Sequence, residues 1–565
     1  MQEFIYYNAS GLDFPVSEQI FVTTNIEDTK NKNFLISNTN EIPSELTAQE
    51  IDFYIKNSQD NLSNKIKNVS KLYEIAAVKY DLALDIPFSA EISNNVLLIS
   101  QNQEQYDKFI SSIEAKDFEL FSISENIIKS ISGNIGNLQV IVTDEDEDIT
   151  LNVSQIVWFD AKQTGKERSG VFDTNLLNVD EIIKVVKKNI NSYSYKKFTT
   201  YDSAICQYNE RRVEICSKCE EVCPTVAITK DDKTKTLTFS QIDCDGCGGC
   251  VSVCPSGALD YAPTPRDSIF EMSKCYRGTH PLVVPSKMNM QNLMINLKEN
   301  VLPFAIEGEK FLSEVSFLTL LQMSGSQVVF YSDVLSKGTK DSIRILNDIY
   351  QKKYQKDAIL VAMDKEELED ALNEVTFIED SYFNFNQNDL KKREAFSQRL
   401  QKIVGIEDLG VVKTGEHIHY GRVLVNEANC TLCLACVGAC NVDALFANES
   451  DFTLRVNPSL CTACGYCEVS CPEVDCLTIV RDEIELQPTW FKENILAKDK
   501  LFACVECGKE FATTKAVEKI AKMMAPIFSS DPVKERSLYC CADCKPKIMM
   551  QSYFDQKIQG LNSAR

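Results

Sequence analysis

Residues 243–255 read DCDGCGGCVSVCP, with cysteines at 244, 247, 250 and 254 and a proline at 255. A compact iron-sulfur cubane needs three thiolates converging from one tight loop, and the C-x2-C-x2-C spacing supplies them. Gly246, Gly248 and Gly249 are small enough to let backbone N–H groups turn toward the sulfurs.

The complete C-x2-C-x2-C-x3-C-P run is the one two-cluster ferredoxins use, where three cysteines hold one 4Fe-4S cluster and the fourth crosses to the other. The crossing makes the two clusters one folding unit. The partner run lies upstream in ICSKCEEVCP, with Cys216, Cys219, Cys223 and Pro224, but Val213 stands where the first cysteine is expected. Cys206, ten residues before Cys216, is the nearest candidate. One cluster is therefore assigned to Cys206, Cys216, Cys219 and Cys254, and the other to Cys244, Cys247, Cys250 and Cys223. Without Cys206, the first site holds a three-iron cluster or takes a different fourth ligand.

A second module is more regular: Cys430, Cys433, Cys436 and Cys440 in NCTLCLACVGACN, then Cys461, Cys464, Cys467 and Cys471 in LCTACGYCEVSCP. The crossing rule groups Cys430, Cys433, Cys436 and Cys471 in one site and Cys461, Cys464, Cys467 and Cys440 in the other. Asn441 replaces the usual proline, which perturbs a turn without removing a ligand. Zinc or buried free thiols are the plainer alternative for these sixteen cysteines. The four-fold repetition of the spacing argues against it.

Near the C-terminus the pattern changes to Cys504 and Cys507 in FACVECGKEF, then Cys540, Cys541 and Cys544 in LYCCADCKP. Two CxxC pairs separated by a long insert suit a tetrahedral zinc site on Cys504, Cys507, Cys541 and Cys544, each pair forming a knuckle. Cys540 in place of Cys541, and iron in place of zinc, are the open alternatives. Such a site organises a small domain. Of the remaining cysteines, Cys476 in DCLTIV reads as a core thiol and Cys275 in SKCYRG as structural. Of the three histidines, His280, His417 and His419, the last two alternate in EHIHYGRV and on a strand would share a face that could bind metal. Without a further ligand, packing or a surface role is expected for them.

All 23 cysteines lie between Cys206 and Cys544, mostly in clusters, which in a reducing compartment points to metal rather than disulfides. The formal charge of -23, from 82 acidic and 59 basic residues, disfavours nucleic acid and anionic lipid and favours basic protein partners. No leader-like start and no membrane-length apolar run is present, so a soluble cytoplasmic protein is expected.

The chain is long enough for about four to six units. The opening segments FIYYNASG and QIFVTTNI read as a hairpin, followed by a helical stretch from about Thr47 to Tyr80. VLLIS, QEQYDKFISSIEA and FELFSIS, then LQVIVTD and SQIVWFD, alternate as a small α/β domain. It carries no GxGxxG and no GxxxxGK[ST]; Gly133 and Gly136 read as a turn, and the acidic run Asp144 to Asp148 as a solvated loop. A second α/β region runs through PLVVP, VLPFAIEG, a helix in EKFLSEVSFLTLLQ, QVVFYSD, a helix in KDSIRILNDIYQKKY, and AILVAM.

The expected fold class is therefore a multidomain α+β chain. It comprises an N-terminal α+β segment (1–90), a small α/β domain (91–200), a first ferredoxin module (201–265), an α/β domain (275–405), a second ferredoxin module (415–490) and a zinc-ribbon-like module (495–555). The two α/β regions are expected to be Rossmann-like.

The motif order resembles a family of bacterial multi-cluster 4Fe-4S ferredoxin-type proteins associated with molybdenum formate dehydrogenase systems. The resemblance rests on CSKCEEVCPTVAIT, DCDGCGGCVSVCPSGALDYAP, NCTLCLACVGAC, FACVECGKEFATTKAVEKI and the late CADC pair. It spans about Cys206 to Lys545. The middle α/β region is also faintly similar to the delta-type iron-sulfur subunit of hydrogenases. The cysteine runs predict four 4Fe-4S clusters and one Zn2+ in an electron carrier without its own catalytic site, and the resemblance implies electron transfer with a redox protein such as a molybdenum formate dehydrogenase. An accessory factor that matures a molybdoenzyme is the second reading, and a flavin-containing oxidoreductase the third.

Overall fold

The computed structural model describes residues 5–9, 11, 21–29, 35–39, 42, 44–100, 102–113, 117–144, 147–162 and 166–563. The chain divides into two units, Met1–Lys392 and Arg393–Arg565.

The first unit opens on a small sheet rather than a hairpin. Ile5–Tyr7 runs parallel to Phe21–Thr23 and to Leu35–Ser37, and Leu35–Ser37 parallel to Leu46–Thr47. A parallel pair needs a crossover, which a tight turn cannot provide. The expected single helical stretch is two helices, Gln49–Asn57 and Leu62–Leu82. Asn61 starts the second by accepting the Asn64 N–H.

A parallel sheet follows, ordered Val171–Asp173, Gln155–Phe159, Asn95–Ser100, Glu119–Ser124. Val96, Leu97, Leu98 and Ile99 are buried on both faces, as a central parallel strand requires. LQVIVTD, expected in this sheet, instead lies between Ile128–Asn134 and Glu147–Val153 in a separate antiparallel sheet. Asn134 pairs with Asn137 there, with Gly133 and Gly136 at positive φ. The acidic run is no plain loop: Asn137–Asp144 and Glu147–Val153 are its flanking strands, Asp148 pairs with Lys129, and residues 145–146 lie outside the described residues.

The middle region forms a second parallel sheet, ordered Val301–Ile306, His280–Pro285, Val328–Tyr331, Ile359–Ala362. The first two strands are buried throughout. The helix expected from residue 309 begins at Glu314, because residues 307–313 form a loop that packs elsewhere.

Thr199–Tyr201 pairs antiparallel with Leu259–Tyr261 around the hairpin of Ile228–Asp231 and Thr236–Phe239. The second unit repeats this plan, with Gly421–Val425 paired to Leu477–Arg481 around Leu445–Asn448 and Thr453–Val456. Asn494–Lys498 then adds to that hairpin. The hairpin Leu501–Ala503 and Glu510–Thr513 and three helices, Thr514–Phe528, Pro532–Ser537 and Cys544–Ser563, complete the chain. His417 and His419 are not on a strand: the neighbouring strands are Val411–Lys413 and Gly421–Val425, and His419 Nδ1 lies 2.5 Å from the Asp482 carboxylate.

Candidate iron-sulfur and metal centres

Three cysteine triplets share one backbone design. In each, the residue before the second cysteine and the residue after it adopt positive φ: Gly246 and Gly248, Leu432 and Leu434, Ala463 and Gly465. This zigzag turns N–H groups inward, and Gly246, Leu432 and Ala463 donate to the sulfurs of Cys244, Cys430 and Cys461. The third cysteine of each lies on a short helix, Gly249–Ser252, Ala435–Ala439 or Tyr466–Ser470. The fourth sits at or just past the end of that helix.

The upstream run lacks the first zigzag, since Ser217 has φ -147 and Val213 is half-exposed. Cys206 arrives from further back, buried, with Tyr208 N–H donating to its sulfur at 3.4 Å. Lys218 supplies the equivalent donor to Cys216.

The thiols converge in four sets. Cys216 is pushed up to about 12 by burial and by the charges of Cys254 and Cys206, and Cys219 rises with burial and Cys254, Cys216, Cys250 and Cys206. The distant Cys206 thus joins Cys216, Cys219 and Cys254. Cys250 is raised by burial and by Cys244, Cys247 and Cys223, and these four line one cavity. Cys436 is pushed up to about 12 by burial and by Cys430, Cys433 and Cys471, and those four line another. Burial followed by Cys464 and Cys440 acts on Cys461, against N–H donation from Ala463, and Cys467 rises with burial and the same group. Every set thus takes its fourth thiol from the opposite run.

Four thiols gathered around one point become stable thiolates when a bound cation offsets their charge. Their chemistry fits an iron-sulfur cluster. Spacing distinguishes them from the C-terminal group: the Sγ atoms of Cys504, Cys507, Cys541 and Cys544 all lie within 4.8 Å of one another, with Cys507 and Cys541 at 3.7 Å. Tetrahedral thiolates at a zinc-sulfur distance of about 2.3 Å have edges of about 3.8 Å, so this group suits a single ion. Burial pulls Cys504 up, but N–H donation from Cys541, Glu506 and Cys507 outweighs it and brings the thiol down to about 6. Cys540 is buried beside Cys504 and donates to the Arg536 carbonyl oxygen at 3.4 Å, but its sulfur is not among the four that lie within 4.8 Å of one another.

The first ferredoxin module is braced by the middle sheet. Lys310 N–H donates to the Cys247 carbonyl at 2.9 Å, Tyr261 OH donates to the Gly246 carbonyl at 2.8 Å, and Tyr261 stacks on Phe311 at 4.4 Å. The loop after Val301–Ile306 therefore seats the Cys244–Cys250 turn. Lys392, absent from the sequence reading because it lies far from any motif, donates to the Cys254 carbonyl at 3.1 Å. Cys476 is a buried core thiol, as expected, and its side chain also lines the cavity of Cys430, Cys433, Cys436 and Cys471. Cys275 is half-buried beside Glu74, which with burial pushes it up to about 12.

Residues 214–258 match the 4Fe-4S dicluster domain family. The polyferredoxin protein MvhB of Methanothermus fervidus is 45% identical over 49 residues, a stretch covering 7% of this chain and 12% of that protein. Residues 214–258 thus form a ferredoxin-type 4Fe-4S dicluster domain, which supports at least one iron-sulfur cluster in this chain. Among the described residues, no helix is long and apolar enough to cross a membrane.

Proposed function

We propose that this chain is a cytoplasmic electron carrier with four 4Fe-4S clusters, held by Cys206, Cys216, Cys219 and Cys254; by Cys223, Cys244, Cys247 and Cys250; by Cys430, Cys433, Cys436 and Cys471; and by Cys440, Cys461, Cys464 and Cys467. A zinc ion on Cys504, Cys507, Cys541 and Cys544 organises the C-terminal module. The observation that carries this reading is the convergence of sixteen thiols in four crossed sets, Cys206 included.

Each cluster supplies one-electron chemistry. The chain's own part is to hold the sulfurs, exclude water and aim backbone N–H groups at them, which sets the potentials. Within each module the two sets adjoin, since Cys219 feels Cys250 and Cys467 feels Cys436, so an electron has a short step between them. The strongly acidic chain favours low potentials, because negative charge disfavours adding an electron.

The partner we propose is a redox enzyme such as a molybdenum formate dehydrogenase, or the machinery that matures one. A flavin enzyme ranks behind both. In open α/β sheets ligands bind at the carboxyl ends of the strands, and in the middle sheet the loop there is engaged by the Cys244–Cys250 turn.

The test is iron, acid-labile sulfide and zinc content of anaerobically purified protein, with EPR after reduction. About sixteen iron and one zinc per chain are expected. Cys206→Ala should lower iron to about twelve to fifteen; several zinc with little iron in the unaltered chain defeats the reading. Recovery of the native protein in fixed ratio with a dehydrogenase core, as against capture of immature apoenzyme alone, separates carrier from maturation factor.

A further inference from the structure

From Leu84 to Ile92 apolar residues fall at every second position, Leu84, Ile86, Phe88, Ala90 and Ile92, the period of a strand with one apolar face. Pro87–Ala90 pairs antiparallel with Tyr193–Lys196, and beyond the strand the Lys197 N–H donates to the Ile86 carbonyl at 2.9 Å. Phe88 stands opposite Tyr195 in register. Their rings stack at 5.4 Å, and Tyr195 stacks on Tyr193 at 6.2 Å.

An apolar face of this period ordinarily lies on a core. Here Leu84 is 55% exposed, Ile86 47% and Phe88 41%, and neither strand of the ribbon has a buried residue. A two-stranded ribbon is marginal by itself, and a contiguous exposed apolar patch marks a surface that gains by being covered.

The ribbon leads to one of the thiol sets. Two residues past its second strand, Phe198 lines the cavity of Cys223, Cys244, Cys247 and Cys250, and its ring packs so close to Gly246 that a Cβ there would meet it at 2.8 Å. Ala262 ties face and turn together: its N–H donates to the Phe198 carbonyl at 2.9 Å, and its carbonyl accepts from the Leu84 N–H at 2.7 Å.

The rim is acidic. Asp81, Asp85 and Glu91 flank the apolar run in sequence, and the exposed Asp245 lies in the turn that Phe198 covers. Lys196, 2.9 Å from the Asp85 carboxylate, and Lys197 offset part of that charge. Two copies of this face would bring acidic rims together, so charge favours a basic partner over a second copy of the chain.

We propose that the face formed by Leu84, Ile86, Phe88, Tyr193 and Tyr195 is where a redox protein docks, apolar at the centre of its contact and basic around it, to exchange electrons with the cluster of Cys223, Cys244, Cys247 and Cys250. The inference rests on the reading that this set holds a 4Fe-4S cluster. One electron passes at each encounter: cluster and partner change oxidation state by one in opposite directions, and no bond forms or breaks.

The experiment mixes the full chain, reduced with dithionite and desalted, with oxidised cytochrome c, a basic haem protein, and follows haem reduction by stopped flow. The variants are the double Phe88→Ser/Tyr195→Ser, Leu84→Ser at the other end of the face, and Met363→Ser, 45% exposed beyond the strand Ile359–Ala362. Iron is measured on each. The double variant should keep its iron and react about tenfold more slowly. Leu84→Ser should move in the same direction, Met363→Ser should keep the unaltered rate, and added salt should slow the unaltered chain. If the double variant loses iron, Leu84→Ser decides by its rate. The proposal is overturned if the face variants react at the unaltered rate or if Met363→Ser slows as much. It is also overturned if light scattering shows the unaltered chain to be a dimer that the face variants dissociate, which would assign the face to a second copy. Failure of the underlying reading is distinct, because the unaltered chain would then show no reduced-cluster EPR signal and reduce no cytochrome c.

Discussion

Lys392 Nζ lies 3.2 Å from the Glu314 carboxylate, with side chains 4% and 0% exposed, while the same ammonium donates to the carbonyl of Cys254. A buried ion pair contributes little net stability while intact, but removing one partner leaves a charge in a dry interior. Lys392→Met should therefore destabilise the first unit by about 3–5 kcal/mol. Denaturant titration of the full chain measures this, and adding Glu314→Gln should recover a substantial part. Equal stability of Lys392→Met and the unaltered protein would contradict the assignment.

Gly248 and Leu434 occupy equivalent places in their triplets, at φ 78 and 61. A Cβ on Gly248 would meet the Phe311 Cβ at 2.3 Å, so Gly248→Ala combines backbone strain with a clash and should lower thermal stability and iron content. Leu434→Gly goes the other way. It relieves a left-handed leucine costing about 1–2 kcal/mol, against a glycine entropy cost of about 0.5–1 kcal/mol. Melting curves of both variants should move in opposite directions.

At the C-terminal site, Cys541→Ser should release the zinc and lower the melting temperature of the terminal module, whereas Cys540→Ser should retain one zinc per chain. Metal analysis after dialysis decides between them. Zinc loss from the Cys540 variant alone would reverse the ligand assignment.

His280 is buried, with Nδ1 2.6 Å from Ser326 Oγ and its ring 4.0 Å from Phe377. Burial first, then the Lys298 charge, lowers it from 6.5 to about 4. The unfolded chain thus binds the proton more readily between these values. The stabilising contribution is complete above pH 6.5 and falls away as pH drops toward 4, by about 3 kcal/mol over the whole window. Amide hydrogen exchange of Val328–Tyr331 at pH 7 and 5 should show this loss, and His280→Gln should flatten it.

The cysteine spacing alone pointed to the proposed iron-sulfur chemistry, because a cubane demands thiolates at short, fixed separations and those separations are written in local sequence. The runs at 244–254, 430–440 and 461–471 needed no tertiary knowledge. The apolar runs VLLIS and PLVVP likewise announced buried parallel strands, since a strand covered on both faces has no polar side to alternate with.

Tertiary structure decided what depends on distant segments meeting. Direction of pairing is invisible in a short strand, so the opening hairpin proved to be parallel, and LQVIVTD went to a sheet of its own. Cys206 joins its set across a loop of irregular length, and the choice between adjacent Cys540 and Cys541 turns on which sulfur lies close to Cys504, Cys507 and Cys544 together. Lys392 and Cys476 reach the sulfur sites only through packing, because a buried charge or thiol is placed by the elements around it and not by its neighbours in sequence.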